Sequence, residues 1–220
     1  MNQERPPGYF VVPSSGNGSG ILVLHAWWGL NKDVKDVCDK LVHSGFVAYA
    51  PDLYGGKIAH TEREAETAAG GIFENIDQAK AVILEASAYL AKEVSMSNRA
   101  LSVLGFSLGG YFALDLTNTH PELIRTAVVY YATGPTDFAR SEASYLGHFA
   151  EFDVHEPQAN VDSLERTLQD AGRPVTFYRY AGTKHWFAEP GRAEAYNADA
   201  ATLAWKRTID FLGHSMSRPE

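Results

Sequence analysis

The chain has 220 residues, a length that suits one domain with a single core and leaves little room for two. Hydrophobic residues make up 45% of the chain and charged residues 21%, which excludes a disordered or fibrous protein. The net charge of −8 argues against the basic surface that binding to nucleic acid or an anionic membrane requires. We therefore expect a globular protein, and the acidic balance mainly favours solubility.

Cysteine content and the opening residues bear on the cellular compartment. The one cysteine, Cys38, allows neither an internal disulfide nor a zinc-type cysteine cluster, and no motif implies a metal or organic cofactor. The first residues, MNQERPPGYF, lack the basic and apolar regions of a signal peptide. No apolar run reaches the roughly 18 residues of a membrane span. These features predict a cytoplasmic protein.

Apolar runs alternate with amphipathic segments along the whole chain. In chain order, the patterns predict strands at 8–13 and 21–26, a helix at 31–45, a strand at 46–50, a helical stretch at 61–94 broken near Gly70 and Gly71, a strand at 100–105, a helix at 108–120, strands at 126–132 and 145–150, a helix at 161–172, a strand at 175–181 and a helix at 193–213. This alternation predicts a mostly parallel sheet, wound with helices on both faces. We expect one domain over residues 1–220, with its core at about 8–213.

The stretch LSVLGFSLGGYFALDL, residues 101–116, places Ser107 between a predicted strand and a predicted helix. Gly105 and Gly109 flank the serine at a distance of two residues, where larger side chains would crowd a sharp strand-to-helix turn. Such a turn lifts a hydroxyl above the sheet, and the helix directs its N-terminal amides at developing negative charge. Ser107 is the candidate nucleophile, and the alternative is an ordinary glycine-lined turn.

A nucleophilic serine needs a base, and the base needs an orienting acid, both at the carboxyl ends of strands. Of the eight histidines, His185 alone lies between the last predicted strand and the last helix. Asp153 follows the preceding strand and is the preferred acid, with Asp137 as the competitor. Asp162 is the third candidate, but it opens a predicted helix and is expected to be an N-cap. The order Ser, Asp, His is the one found in α/β-hydrolases.

The loop LHAWWGL, residues 24–30, follows the second predicted strand. We expect the backbone N–H groups of Leu108 and Trp27 to form an oxyanion hole. Consecutive side chains diverge, so Trp27 and Trp28 are not both expected to be buried. We assign Trp28, Tyr54 and Trp186 to the substrate pocket. Further aromatic candidates, which the sequence does not orient, are Tyr130, Tyr131 and Tyr145.

The chain resembles the dienelactone hydrolase family of α/β-hydrolases in five segments, LHAWWGLNKDV, GFVAYAPDLYGG, LGFSLGG, GHFAEFD and YAGTKHWFAEP, which occur in the family's order. The resemblance covers about residues 20–213. It implies a single α/β-hydrolase domain without a lid that cleaves esters or lactones. It also implies a catalytic triad of Ser107, His185 and Asp153.

Three departures from the family pattern bear on the chemistry. The family's usual nucleophile is a cysteine, and its usual glutamate, which helps to activate the thiol, is Ala26 here. These two changes agree, because a serine hydroxyl is activated by its histidine rather than by prior ionisation. Glu189 stands where the family has an arginine for the substrate carboxylate, which argues against carboxylated lactones. Arg192 and Arg179 are the candidates to replace that arginine.

These features predict hydrolysis of small carboxylic esters or lactones through an acyl-enzyme intermediate, with neutral short-chain esters preferred to carboxylated lactones. An acyltransferase or a peptidase could use the same triad. A protein of this fold could also bind a ligand without catalysis. The short chain favours small, accessible substrates, and the intact Ser, Asp and His set argues against a non-catalytic protein.

Overall fold

The computed structural model describes residues 5–94, 101–135 and 137–216, and within them one sheet of seven strands forms the centre of the molecule. The strands are β1 (Gly8–Val11), β2 (Gly20–Leu24), β3 (Val47–Pro51), β4 (Leu101–Phe106), β5 (Ile124–Tyr130), β6 (Ser144–Phe152) and β7 (Val175–Lys184). Their order across the sheet is β1-β3-β2-β4-β5-β6-β7. The edge strand β1 runs antiparallel to β3, and the other pairs are parallel. The remaining residues of the expected domain, 1–4, 95–100, 136 and 217–220, lie outside the described residues.

Six helices cover the two faces of the sheet in the described part of the chain. They are α1 (Lys32–His43), α2 (Glu62–Glu74), α3 (Ile76–Glu93), α4 (Leu108–Thr119), α5 (Gln158–Asp170) and α6 (Ala198–Met216). The apolar side chains of α1 and α6 join one core cluster, and those of α3, α4 and α5 join the other. This is the doubly wound architecture predicted from the sequence, and the described residues contain no separate lid domain.

Strand β2 illustrates how the apolar runs divide between the two clusters. Leu22 and Leu24 pack towards α3, α4 and α5, whereas Ile21 and Val23 pack towards α1 and α6. Successive side chains of a strand point to opposite faces, so a strand covered on both sides is apolar throughout. Cys38 is buried on the sheet-facing side of α1, where burial raises the pKa of its thiol to about 12. No helix among the described residues is long and apolar enough to cross a bilayer.

The helical stretch over residues 61–94 is interrupted, but the predicted position of the interruption is wrong. Gly70 and Gly71 lie inside α2, and the chain leaves the helix at Asn75, whose φ and ψ are −126° and 45°. Both glycines are exposed, and a glycine within a helix costs only about 1 kcal/mol relative to alanine. Burial of the apolar face of α2 is sufficient to hold the helix together.

Three element boundaries near the site also differ from the predictions. Helix α5 begins at Gln158, so Asp162 lies within the helix and is not its N-cap. Helix α6 begins at Ala198, where the Asn197 side chain accepts a hydrogen bond from the third residue of the helix, rather than at residue 193. Strand β7 continues to Lys184 rather than ending at residue 181, so the candidate base His185 follows the strand directly.

Candidate active site

Ser107 occupies a sharp turn between β4 and α4. Its φ of 48° and ψ of −115° lie in a region that residues with a Cβ rarely adopt. The Ser107 N–H donates to the Tyr130 carbonyl at 3.0 Å, which fastens the turn to the end of β5. The Ser107 carbonyl accepts from the N–H groups of Gly110 and Tyr111 as α4 begins. These bonds hold the serine at the carboxyl end of the sheet.

Three glycines around Ser107 allow the backbone to pack closely. A Cβ at Gly109 would lie 2.2 Å from the Leu24 carbonyl oxygen. A Cβ at Gly105 would lie 2.4 Å from the Gly109 carbonyl oxygen, and one at Gly110 would lie 2.3 Å from the Ala132 Cβ. The glycine spacing noted in the sequence is therefore required by the close approach of β2, β4 and α4.

A chain of hydrogen bonds joins Ser107, His185 and Asp153. The distance from Ser107 Oγ to His185 Nε2 is 2.9 Å, and the distances from His185 Nδ1 to Asp153 Oδ2 and Oδ1 are 2.7 and 2.9 Å. A carboxylate can only accept, so Nδ1–H donates to Asp153, and Nε2 is free to accept from the Ser107 hydroxyl. The side chains of His185 and Asp153 are 5% and 2% exposed, which limits competition from water.

Neither of the other two candidate acids lies at the imidazole. The Asp137 carboxylate accepts from the Ala139 N–H at 2.9 Å, a local turn contact. Asp162 forms an ion pair of 2.6 Å with Arg179, which also pairs with a glutamate of α5. Of the three aspartates, Asp153 is the one that the fold brings to the base.

The Asp153 carboxylate is itself held by the backbone that follows it. Its Oδ1 accepts from the N–H groups of His155 and Glu156, each at 2.9 Å. The His155 ring lies 4.8 Å from the His185 ring, and the Glu156 carboxylate accepts from the Thr133 hydroxyl at 2.5 Å. Burial raises the pKa of Glu156. Despite these acidic and imidazole groups, no set of three such side chains in the described residues is arranged to bind a metal.

The two N–H groups expected to form an oxyanion hole come from the start of α4 and from the loop after β2. Leu108 is the first residue of α4, where an N–H has no carbonyl partner within the helix. Trp27 lies in the loop, and its carbonyl accepts from the Tyr54 hydroxyl at 3.1 Å. Tyr54 is buried and supports this loop rather than contacting the triad.

His25 orients the peptide group that carries the Trp27 N–H. The Ala26 carbonyl, which belongs to that peptide, accepts from His25 Nδ1–H at 2.8 Å. His25 Nε2 accepts from the Leu53 N–H at 3.2 Å, so both ring nitrogens are engaged by a neutral imidazole. Burial lowers the pKa of His25 and keeps it in this neutral form. Because the peptide is planar and trans, the Trp27 N–H points away from the His25 contact.

Aromatic rings form one wall beside the imidazole. The Trp186 ring lies 5.0 Å from the His185 ring, 5.2 Å from Trp28 and 6.2 Å from Trp27. Trp28 is only 1% exposed and supports the wall from within, whereas Trp27 is partly exposed. The Arg192 guanidinium stacks 3.7 Å from the centre of the Trp28 ring.

The structure places the two arginine candidates, Arg192 and Arg179, in different surroundings. Arg192 lies at the aromatic wall, and its Nε is buried without a hydrogen-bond partner. Arg179 is engaged in ion pairs with Asp162 and Glu165 on α5. These ion pairs hold Arg179 at α5, so Arg192 is the arginine candidate that lies beside the site.

A cavity of about 880 Å³ lies between α2, α3 and the loop after β3. Tyr54 lines it together with Leu53, Ile58 and Ile72, whereas Ser107, Asp153 and His185 are not among its lining residues. The cavity adjoins the oxyanion loop through Tyr54, whose hydroxyl donates to the Trp27 carbonyl, and through the N–H groups of Leu53 and Ala59, which donate to His25 and to the Trp28 carbonyl.

Tyr131 and Glu189 belong to the site in a way that the sequence does not reveal. The Tyr131 ring lies 4.8 Å from the His185 ring, and its hydroxyl donates to Glu189 Oε1 at 2.7 Å. Glu189 is 4% exposed, and burial raises the pKa of its carboxyl to about 8. By contrast, the hydroxyls of Tyr130 and Tyr145 bond to threonines and do not contact the imidazole.

Comparisons with known proteins give the same family as the five sequence segments. The family model described as "Dienelactone hydrolase family" matches residues 7–216. "Protein usf" of Aquifex pyrophilus is 30% identical over 218 residues, with 96% of this chain and 94% of that protein covered. A "putative carboxymethylenebutenolidase" of Aquifex aeolicus is 28% identical, with the same coverage of both chains.

A solved structure described as a putative dienelactone hydrolase from Klebsiella pneumoniae superposes with a TM-score of 0.78 at 23% identity. The superposition covers 96% of this chain and 93% of that one, which supports the α/β-hydrolase fold. The resemblance that the sequence predicts is confirmed by the family match over nearly the whole chain. The chain belongs to the dienelactone hydrolase family, and it is a hydrolase of the ester or lactone type.

Proposed function

We propose that this protein is a serine hydrolase that cleaves small carboxylic esters or lactones through a covalent acyl-enzyme. The observation that carries the proposal is the unbroken hydrogen-bond chain from Ser107 Oγ through both nitrogens of His185 to Asp153. All of its contacts are within hydrogen-bond range, so the base needs no rearrangement to take the hydroxyl proton.

In the acylation step, Ser107 Oγ attacks the carbonyl carbon of the ester or lactone while His185 Nε2 takes the hydroxyl proton. The resulting imidazolium keeps its other proton on Nδ1, where the Asp153 carboxylate stabilises the positive charge. When the tetrahedral intermediate collapses, Nε2 returns a proton to the leaving alcohol oxygen. In a lactone, that alcohol remains attached to the acyl group.

Negative charge that develops on the carbonyl oxygen requires donors fixed in advance. The N–H groups of Leu108 and Trp27 supply them in this proposal, with the positive end of the α4 dipole behind Leu108. His25 and Tyr54 hold the Trp27 loop in place, so the donor does not have to reorient during the reaction. Deacylation repeats the sequence with water as the nucleophile and His185 again as the base.

The residues around Ser107 support hydroxyl rather than thiolate chemistry. Ala26, at the position of the family's usual glutamate, is buried and brings no acidic group to the nucleophile. A serine hydroxyl stays protonated until its base acts, so such a glutamate has no task here. Ser107 instead has its hydroxyl partner in His185.

The substrate class follows from the chemistry of the site and from the names of relatives. One relative is called a putative carboxymethylenebutenolidase, which supports a lactone or ester as the substrate. Glu189 replaces an arginine that the family uses for a substrate carboxylate, so we expect neutral short-chain esters to be hydrolysed faster than carboxylated lactones. A panel of esters and lactones of graded length and charge tests this order.

Labelling with a serine-directed fluorophosphonate tests the nucleophile directly. We expect one label per chain at Ser107, identified by mass spectrometry of peptides, and loss of hydrolysis of p-nitrophenyl acetate on labelling. Ser107→Ala should reduce kcat by a factor on the order of 10⁶ and abolish labelling. Ser163→Ala, an exposed serine of α5, is the matched control and should behave as wild type.

The same assays separate the remaining possibilities. A non-catalytic protein would neither label nor turn over, and full activity of Ser107→Ala would falsify the mechanism. An acyltransferase would transfer the acyl group to an added alcohol in preference to water, which product analysis detects. Accumulation of an acyl group on Ser107 during turnover is the result expected for the hydrolase.

A further inference from the structure

Glu189 links the turn that carries His185 to the end of β5. Its carboxyl accepts from the Tyr131 hydroxyl at 2.7 Å, and the Tyr131 ring lies 4.8 Å from the His185 ring. Tyr131 is fully buried and Glu189 is 4% exposed, so water does not replace this bond. The ring therefore lies between a fixed carboxyl at one end and the imidazole on its face.

The backbone on both sides explains why such a link is needed. Tyr131 has a φ of 41° and Trp186 a φ of 64°, so both strand ends leave the sheet through conformations unfavourable for residues with a Cβ. The Glu189 N–H donates to the Trp186 carbonyl at 2.9 Å, which folds the chain back after His185. Further along, the Gly191 N–H donates to an aspartate of α1. Backbone bonds within the turn and contacts to side chains, rather than the hydrogen bonds of the sheet, hold this segment.

We propose that Glu189 is a positioning residue for the base: through Tyr131 it holds the His185 imidazole in line between Asp153 and Ser107. The inference rests on the proposed function, since a positioned base matters only if His185 moves a proton. It does not follow from the family pattern, in which this position is an arginine. Without Glu189, the Tyr131 hydroxyl would be buried without an acceptor, which is costly enough to shift the ring.

The charged groups around Glu189 favour its neutral form near neutral pH. Burial is the main cause that raises its pKa to about 8, and the nearby Asp33 carboxylate adds to it, whereas the Tyr131 hydrogen bond and Arg192 act in the opposite direction. Asp36 and Lys40 of α1 line a small cavity with Glu189. Glu189 Oε2 has no partner, so ionisation would place an unsolvated charge beside Asp33. Ionisation above about pH 8 makes the carboxylate a stronger acceptor for the Tyr131 hydroxyl, so the link is kept on both sides of this pKa.

The test compares Glu189→Gln and Glu189→Ala with wild type, and uses Glu194→Gln, an exposed glutamate of the same segment, as the matched control. Active sites are first counted by fluorophosphonate labelling of Ser107, and kcat and KM for p-nitrophenyl acetate are then measured per active site from pH 6 to 10. Wild-type protein that fails to label or to turn over contradicts the proposed function itself, a result distinct from the ones below.

We expect Glu189→Ala to lower kcat about 10- to 100-fold with little change in KM, because a misplaced base slows proton transfer without weakening binding. Glu189→Gln should retain kcat within a few-fold at pH 7, since its amide oxygen can accept from Tyr131. Wild type, Glu194→Gln and Glu189→Gln should show the same dependence of kcat on pH, because the neutral carboxyl, the carboxylate and the amide oxygen all accept from Tyr131. Wild-type kcat in Glu189→Ala, or a loss of kcat in Glu189→Gln as large as that in Glu189→Ala, overturns the inference. If Glu189→Ala does not fold, Tyr131→Phe, which removes the donor and keeps the ring, decides: kcat should fall with little change in KM, and wild-type kcat overturns the inference.

Discussion

The turn at Ser107 and the turn at His185 both leave the sheet at a strand end, but they are fixed by different means. At Ser107, the strained backbone is possible because Gly105 and Gly109 let main chains approach within contact distance. At His185, the following residue Trp186 also has a positive φ, and the backbone hydrogen bonds of the turn are supplemented by the side-chain bond from Tyr131 to Glu189. The serine turn depends on the absence of side chains, whereas side chains reinforce the histidine turn.

This difference determines what each turn tolerates. Close backbone contact admits no larger residue, because the atoms in the way belong to β2 and cannot move without disturbing the sheet. A side-chain contact can be replaced by another of similar shape and polarity. We therefore expect the serine turn to fail abruptly on substitution and the histidine turn to respond by degrees.

The largest effect is expected from Gly109→Ala. The added Cβ would lie 2.2 Å from the Leu24 carbonyl oxygen, so the turn must shift, and we expect loss of activity and destabilisation by about 3 kcal/mol. Gly70→Ala is the matched control, because a Cβ there meets nothing within 4 Å and α2 should gain about 0.5 kcal/mol. Urea unfolding measures both. Equal stability of the two variants would mean that the close approach at β2 is not required.

Asp153→Asn should produce the next largest effect, a fall in kcat of about 10³- to 10⁴-fold. The asparagine amide can donate to His185 Nδ1, which favours the tautomer that cannot take the serine proton. Asp137→Asn, the matched control, alters a local turn contact and should leave kcat within about two-fold. Kinetics per labelled active site distinguish the two, and similar losses in both variants would reassign the acid.

The third effect develops gradually with pH and concerns the stability of the histidine turn rather than activity. The folded protein raises the pKa of Glu189 from its usual 4.5 to about 8, so folding binds a proton that the unfolded chain has released between these values. The stability that this group contributes is complete below pH 4.5 and is lost as the pH rises to about 8. Glu189→Gln should therefore gain stability relative to wild type across this range, by up to about 1.4 kcal/mol per pH unit.

Unfolding free energies at pH 5, 7 and 9 check this prediction. We expect the difference between Glu189→Gln and wild type to grow from pH 5 to pH 7 and to level off near pH 9. A difference that does not change with pH would show that Glu189 has an ordinary pKa in the folded protein.

Local patterns in the sequence predicted most of the fold. The alternation of apolar runs and amphipathic segments predicted the parallel sheet, because burial on both faces forces strands such as β2 to be apolar throughout. The break at Asn75 was missed because helix propensity alone predicts a break at Gly70 and Gly71. The buried alanines of α2 outweigh that propensity, and the helix continues through both glycines. The predicted start of α6 at residue 193 was also wrong, because the helix begins after Asn197, whose side chain caps it.

The candidate site also has one part that the sequence predicted and another part that it did not. The sequence predicted contact among Ser107, Asp153 and His185, because their positions after successive strands place them at one edge of the sheet. It did not predict that Tyr131 packs on the imidazole or that Glu189 holds Tyr131. These contacts join segments 58 residues apart and depend on side-chain directions at strained backbone positions, for which the sequence has no local signal.

Within the described residues, the non-glycine residues with positive φ are Ser107, Tyr131 and Trp186. All three lie against the imidazole of His185 or bond to it, so the positive-φ strain of non-glycine residues in the described part of the chain gathers at the site. Stability and catalysis therefore make opposite demands at these positions. Glycine would relieve the backbone at each of them, yet each replacement would remove a hydroxyl or a ring that the site uses. Strained residues gathered at one place are expected where function rather than stability sets the backbone conformation.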